Sequence, residues 1–298
     1  MQRTATRSPS PVSSEMVTSR DGARLRRRAA EKELPSSTGY FRVEAHINNL
    51  AHLKSMERAP TGIDGLDELI EGGIPRRRMV LVSGSCGTGK TIFSAQYLYR
   101  GAVDYDEPGI FVTLDERPAT IREDMLQFGW DLKALEEKGM LRIIDGTVTK
   151  VGIPSEEEFS LPETGFNLDK LLVEIIKSIK ELGAKRLVVD SLPALGFKYD
   201  TEADVRKAIL KMSYVLSRTG VTSIVTTEIP ENAGVYSKYG VEEFVADGVI
   251  VLQYGGLGAN ATRTLHVRKM RGTKHSEHIH PMEITRERGI VVYPIDEV

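Results

Sequence analysis

The stretch that most restricts how this 298-residue chain can fold is Met79-Val80-Leu81-Val82-Ser83 running straight into Gly84-Ser85-Cys86-Gly87-Thr88-Gly89-Lys90-Thr91. A short, unbroken apolar run is what a strand buried on both faces requires. The glycine-rich octet that follows it opens a helical pattern through about Arg100. In that setting the backbone N–H groups turn inward around a polyphosphate at the positive end of a helix. Gly84, Gly87 and Gly89 let the main chain approach without Cβ clashes, and Ser85, Cys86 and Thr88 complete the cradle. Lys90 is expected to place its ammonium at the β- and γ-phosphates and Thr91 to ligate Mg²⁺ with its hydroxyl, so ATP and Mg²⁺ are the expected ligands.

The rest of the chain fits one α/β domain. Apolar runs recur at Ile110 to Leu114, Leu141 to Ile144, Arg186 to Val189, Thr222 to Val225 and Val249 to Leu252, with helical patterns between most of them. That alternation predicts a mainly parallel sheet flanked by helices. The clearest helix runs from Leu168 to Leu182, with Leu168, Leu171, Leu172, Ile175, Ile176, Ile179 and Leu182 on one face, Asn167 as its cap and Gly183 at its close. After Leu252 the texture turns to β-hairpins: Leu265 to Met270, His278 to Ile284 and Ile290 to Tyr293. Pro60 to Leu69 reads as a turn and a short helix ending at Gly72-Gly73, which places the start of the domain near Met56. The ordered domain is therefore expected over residues 56–298. Pro154 to Phe166 reads as a solvated loop.

Residues 1–55 are expected to be a disordered Ser- and Arg-rich tail with a short helix at its end. Residues 1–40 carry eight Lys/Arg against four Asp/Glu, which leaves 32 basic and 38 acidic residues in the remainder. The folded part is thus net acidic, a poor match to a nucleic-acid backbone. No run reaches the roughly 20 apolar residues of a membrane span, and no secretory signal is evident, so the expected location is the cytoplasm with no membrane partner. Cys86, the single cysteine, excludes an intramolecular disulfide and a multi-cysteine zinc site. A helix N-terminus can activate a thiol there, but the simpler reading is that Cys86 contributes only its backbone.

Two further sets of carboxylates complete the expected chemistry. Asp190 ends the apolar run of Lys185-Arg186-Leu187-Val188-Val189 and is the second expected Mg²⁺ ligand beside Thr91; a strand-terminal Asp can also be a plain helix cap. Asp115 and Glu116 end the run from Phe111, on a strand expected beside the P-loop strand, and with Lys90 form the expected catalytic group, with a carboxylate to orient or deprotonate water. Their alternative role is to start the helix near Pro118 and complement its dipole.

With these elements in order, about four-fifths of the chain, from Arg58 to Pro294, resembles the KaiC-type ATPases, a branch of the RecA superfamily. The marks are Gly62-Ile63-Asp64-Gly65-Leu66-Asp67, the P-loop, Phe128-Gly129-Trp130-Asp131-Leu132, Thr226-Thr227-Glu228, Tyr239-Gly240-Val241-Glu242-Glu243-Phe244 and Lys269-Met270-Arg271-Gly272-Thr273-Lys274-His275. The resemblance implies a RecA-like core and assembly into a ring, usually a hexamer, with ATP between neighbours. It also assigns Lys269, Arg271, Thr273 and His275 to the nucleotide of the next subunit; from the residues alone they read as a basic surface hairpin. A guanidinium supplied across an interface stabilises charge on the transferred phosphoryl. Gln127-Phe128-Gly129-Trp130 is set beside the nucleotide base or, by its spacing, in the core. His275, His278 and His280 lack the further ligands a zinc site needs.

Three departures from the family's clock protein restrict what is carried over. That protein has two glutamates where this chain has Asp115-Glu116, it has two such domains in tandem, and its phosphorylated Ser-Thr pair has no counterpart at Tyr236-Ser237-Lys238-Tyr239-Gly240. Circadian timing is not carried over, and autophosphorylation is kept only as a minor reading. The leading expectation is a slowly hydrolysing, ring-forming signalling ATPase acting on a protein partner that the sequence does not name. The alternatives are a DNA-dependent ATPase of recombinase type, with the acidic core against it, and a non-hydrolysing ATP-binding scaffold.

Overall fold

The computed structural model describes residues 56–147, 155, 157–161, 166–229, 234–255 and 262–295. The tail expected over residues 1–55, and residues 154, 156 and 162–165 of the loop expected from Pro154 to Phe166, lie outside the described residues.

The strands are β1 (Arg58–Ala59), β2 (Ile74–Pro75), β3 (Met79–Gly84), β4 (Gly109–Thr113), β5 (Leu141–Asp145), β6 (Arg186–Asp190), β7 (Thr222–Glu228), β8 (Gly248–Gly255), β9 (Thr262–Met270), β10 (Ile279–Thr285) and β11 (Gly289–Val292). The α-helices are α1 (Lys90–Asp104), α2 (Pro118–Leu126), α3 (Leu132–Glu137), α4 (Leu168–Leu182), α5 (Glu202–Thr219) and α6 (Glu242–Val245). A nine-stranded sheet has the order β11-β10-β9-β8-β3-β7-β6-β4-β5. From β8 to β5 neighbouring strands are parallel, and β8 to β11 continue it as an antiparallel meander.

The pattern of burial follows the connections. Helical crossovers cover both faces of the parallel part, so every residue of β3, β4 and β6 is buried. Along β3, Val80 and Val82 belong to one core cluster with Phe93 and Tyr97 of α1, whereas Met79 and Leu81 belong to the cluster on the opposite face with Ile209 and Met212 of α5. In β9 the pattern changes to alternation, with Leu265 and Val267 buried and Arg268 outward.

α4 has the bounds that its apolar spacing predicts: Asn167 Oδ1 accepts from Lys170 N at 3.0 Å, and Gly183 closes the helix at φ 65°. Leu168, Leu171, Leu172, Ile175 and Ile179 are buried, each contributing about 1.5–3 kcal/mol by removal from water. Ile176 and Leu182, on the edge of that face, are only half-buried.

One expectation about the sheet is corrected. β4 does not lie beside the P-loop strand β3; β7 and β6 stand between them. A parallel sheet is joined by crossovers that can pass over several positions, so order along the chain does not give order across the sheet.

Candidate functional site

The loop between β3 and α1 has the backbone the glycines imply. Gly87 and Gly89 have φ values of 77° and 104°, where a side chain strains the backbone. At Gly84 the constraint is space instead: a Cβ would lie 2.6 Å from the Leu252 carbonyl oxygen and 2.6 Å from Thr88 Oγ1. Thr88 Oγ1 donates to the Ser85 carbonyl at 2.8 Å, and Lys90 Nζ donates to the carbonyls of Gly84 and Ser85, each at 3.0 Å. Outside the loop, Tyr254 Oη donates to the Gly87 carbonyl at 2.9 Å and Arg263 Nη2 to the same oxygen at 3.3 Å. Cys86 is free and exposed. The first N–H groups of α1 open onto this loop and have no carbonyl partners within the helix.

Opposite the loop stand the carboxylates. Asp190 Oδ2 accepts from Thr91 Oγ1 at 2.7 Å, and its Oδ1 accepts from Thr226 Oγ1. Asp115 reaches the same place although β4 is remote from β3, because Thr113 pairs in register with Asp190 and Leu114 N donates to the Asp190 carbonyl at 2.7 Å. The chain leaving β4 therefore crosses the end of β6, and Asp115 Oδ2 accepts from Ser191 Oγ at 2.5 Å. Asp115 and Glu116 do not serve the dipole of α2, which begins at Pro118 after Arg117 and has no acidic residue in its first turn.

Burial raises the carboxyls of Asp115, Glu116 and Asp190 above the ordinary range. For Asp115 the nearby Glu228 adds to the rise, and for Glu116 the neighbouring Asp190 does; hydrogen bonds from Ser191 to Asp115, and from Thr226 and Thr91 to Asp190, oppose it. Mutual repulsion of this kind is relieved by a cation among the carboxylates. A hydroxyl with carboxylate oxygens is the donor set a hard divalent ion prefers.

P-loop and carboxylates enclose a cleft of about 460 Å³, of the size that holds a small-molecule ligand. It brings together Lys90, Thr91, Asp115, Glu116 and Asp190. Ser191, Phe197, Glu228 and Lys238 also line it and were not assigned to the site from the sequence. Glu228 has a readable signal, a carboxylate closing a parallel strand, and its Oε1 lies 3.9 Å from Lys90 Nζ. Lys238 carries none.

Lys269, Arg271, Thr273 and His275 are elsewhere. Met270 pairs with Gly248, which pairs with Val80 at the start of β3. The segment thus sits at the edge where the parallel strands begin, four residues and about 13 Å of strand away from Gly84. Lys269 Nζ donates to the carbonyls of Glu243 and Ala246 at 3.0 and 2.6 Å, and Arg271 Nη1 donates to Asp247 Oδ1 at 3.2 Å while its side chain stays exposed. Thr273 Oγ1 accepts from Arg58 Nη1 at 2.5 Å, and His275 Nδ1 donates to the Ser276 carbonyl at 2.9 Å. These four residues do not meet the chain's own P-loop.

The aromatic stretch is core and not a base platform. Trp130, 2% exposed, stacks on Tyr99 and Phe128 with ring centroids 5.7 and 5.1 Å away, and it packs where a Cβ on Gly289 would touch it. A ring stacked on two others and removed from water gains burial energy together with the pair interactions. His280 is fully buried and bonded to Ser276 Oγ at 2.7 Å and to Ile295 N at 3.1 Å, and among the described residues no three His, Cys, Asp or Glu side chains gather as a metal site.

A parallel sheet with helices on both faces, a glycine loop at the end of β3 and an Asp at the end of β6 define a P-loop protein with a RecA-like core. A profile of the KaiC ATPases matches residues 59–297. The chain is 43% identical to a UPF0273 protein of Methanocaldococcus jannaschii over 240 residues, 80% of this chain and 97% of that protein. It is 39% identical to the circadian clock oscillator protein KaiC of Parathermosynechococcus lividus over 250 residues. That match takes in 84% of this chain and 45% of the clock protein, so the chain spans about half the length of such relatives. The crystal structure of a KaiC-like protein from Pyrococcus horikoshii superposes with a TM-score of 0.71 at 45% identity, covering 80% of this chain and all of that one. The chain belongs to the KaiC ATPase family. No described helix is long and apolar enough to cross a membrane.

Proposed function

We propose that this protein binds ATP with Mg²⁺ and hydrolyses it slowly at sites completed between subunits of a ring, and that the nucleotide state sets which surface it offers to a protein partner. The observation that carries the reading is the division of the machinery between two edges of one sheet. The P-loop and the carboxylates share one cleft, whereas the Lys269–His275 segment lies at the far edge, away from its own subunit's cleft, which supports a role at another subunit's nucleotide.

The residues present fit the ligand. Gly87 and Gly89 hold the positive φ values that turn the loop's N–H groups inward, and Thr91 and Asp190 offer the oxygen donors that would hold Mg²⁺. When bound, Mg²⁺ supplies neutralisation of charge on the phosphate oxygens. In this reading Lys90 leaves the Gly84 and Ser85 carbonyls to pair with phosphate, a stronger charge-assisted partner. Asp115, held by Ser191, orients a water and takes its proton, with Glu116 beside it. An Asp is one methylene shorter than a Glu, so its carboxylate stands farther from the water, which accords with slow turnover and hence with a switch. From a neighbouring subunit, Arg271 places a guanidinium on the developing charge, Lys269 a second cation, and Thr273 and His275 further hydrogen-bonding groups.

The test is size-exclusion chromatography with light scattering, with and without ATP-Mg²⁺, alongside phosphate release. Nucleotide-dependent assembly to about a hexamer with slow phosphate release supports the reading. A monomer under both conditions refutes the ring. Assembly without release in a single turnover points to a nucleotide-cemented scaffold, and hydrolysis stimulated by single-stranded DNA to the recombinase type.

A further inference from the structure

One cation in the cleft has no part in the chemistry so far. Lys238 lines the cleft at its carboxylate end, within electrostatic range of Asp115. It makes no hydrogen bond or ion pair to any described residue, and the Tyr239 ring lies 5.9 Å from its ammonium.

The backbone beneath Lys238 is held from several sides. Ser83 Oγ of β3 donates to the Tyr236 carbonyl at 2.6 Å, and the buried Ser237 donates to Glu243. Tyr239 is buried, its hydroxyl donating to the Pro193 carbonyl at 3.2 Å and its carbonyl accepting from Arg206 Nε at 2.8 Å. Glu242, 1% exposed, accepts from Thr227 Oγ1 at 3.2 Å and from the backbone N–H groups of Tyr239 and Val241. An exposed lysine between two buried and bonded neighbours is aimed by its backbone, so holding its ammonium in place costs only its own side-chain entropy.

The charges facing the cleft show what such a cation is for. Asp115, Glu116, Asp190 and Glu228 all line it, and among the described residues the cations that line it are Lys90 and Lys238. A polyphosphate entering beside four carboxylates is repelled most where they gather, at the Asp115 end, beyond the Lys90 position.

We propose that Lys238 is a specificity residue for the terminal phosphate, pairing with the γ-phosphate of ATP from the same subunit and thereby separating ATP from ADP. The proposal rests on the reading of the cleft as an ATP site. The loop that carries Lys238 runs on into α6, and the carbonyls of Glu243 in that helix and of Ala246 at its end hold Lys269.

The experiment measures affinities of the intact chain for a non-hydrolysable ATP analogue and for ADP, both with Mg²⁺, by calorimetry on wild type, Lys238→Gln, Lys238→Arg and Lys90→Ala. Lys238→Gln is expected to weaken the ATP analogue at least fivefold and ADP less than twofold, with Lys238→Arg restoring most of the difference and thermal melting unchanged. Equal losses for both nucleotides, or no loss for either, overturn the assignment of Lys238 and leave the ATP site standing, provided Lys90→Ala weakens both. If wild type binds neither nucleotide, the ATP-site reading fails and this proposal fails with it.

Discussion

Arg186→Met probes an interaction that holds β6 to the P-loop helix α1. Arg186 begins β6, is fully buried, and donates from Nε to Glu107 Oε2 at 2.7 Å and from Nη1 to the Tyr97 carbonyl at 2.9 Å. Its guanidinium also lies over the Tyr97 ring at 4.5 Å, and Gly101 leaves it space, since a Cβ there would fall 2.4 Å from Arg186 Cδ. Removing one partner of a buried pair costs about 3–5 kcal/mol. Glu107 keeps a second cation, Arg76 Nη2 at 2.5 Å, which brings the loss to the lower end, about 3 kcal/mol. Methionine fills much of the vacated volume, so cavity formation adds little. For a domain of this size about 3 kcal/mol corresponds to a fall in Tm of roughly 6–12 °C. Thermal and urea melts at one protein concentration read the loss. Nucleotide affinity is expected to hold, because Arg186 and Asp190 stand at opposite ends of the same strand. Adding Glu107→Gln should recover part of the stability, since the buried carboxylate then held by Arg76 alone is replaced by a neutral amide. An Arg186→Met protein within 0.5 kcal/mol of wild type would refute the argument.

Asp190→Asn should bind nucleotide in EDTA as wild type does and lose the tightening that Mg²⁺ adds, read by titrating a fluorescent ATP analogue at rising Mg²⁺; an undiminished Mg²⁺ effect counts against Asp190 as a ligand. Gly89→Ala places a Cβ 2.8 Å from Ile284 Cδ1 at a φ of 104°, and should cost about 1–3 kcal/mol in a urea melt along with most nucleotide affinity. His280 is buried, its Nδ1 accepts from Ile295 N, and burial pulls its pKa below the ordinary value. Its contribution to stability is therefore present above about pH 6.5 and is lost as the pH falls through the lowered folded value. The drop in Tm between pH 7.5 and 5.0 should be smaller in His280→Gln than in wild type, and an equal drop removes His280 from the account.

The P-loop, α4 and the mainly parallel sheet were legible in the sequence because each rests on local patterns. Gly87 and Gly89 occupy positive φ, Asn167 and Gly183 close a helix whose apolar spacing is unambiguous, and unbroken apolar runs mark strands covered on both faces. Strand order was not legible, since β4 follows β3 in sequence with two strands between them in space. Phe128 and Trp130 could be read as a base platform because the spacing of two aromatics does not say which side faces the core; Tyr99 and Gly289, distant in sequence, decide it. Arg186 looks like any charged residue at the start of a strand until Glu107, Tyr97 and Gly101 are brought around it. Lys238 gains meaning only from the folding of its loop over the cleft.

The most direct test of sites shared between subunits is complementation. Arg271→Ala leaves a subunit with an intact cleft and no guanidinium for its neighbour, whereas Asp115→Ala/Glu116→Ala leaves an intact Arg271 and a cleft unable to activate water. Each protein alone should release phosphate at no more than about a hundredth of the wild-type rate. Mixed and reassembled with ATP-Mg²⁺, they should regain a substantial part of it, because interfaces between unlike subunits again hold one cleft and one Arg271. Mixtures that never exceed the sum of the two separate rates would contradict the shared site.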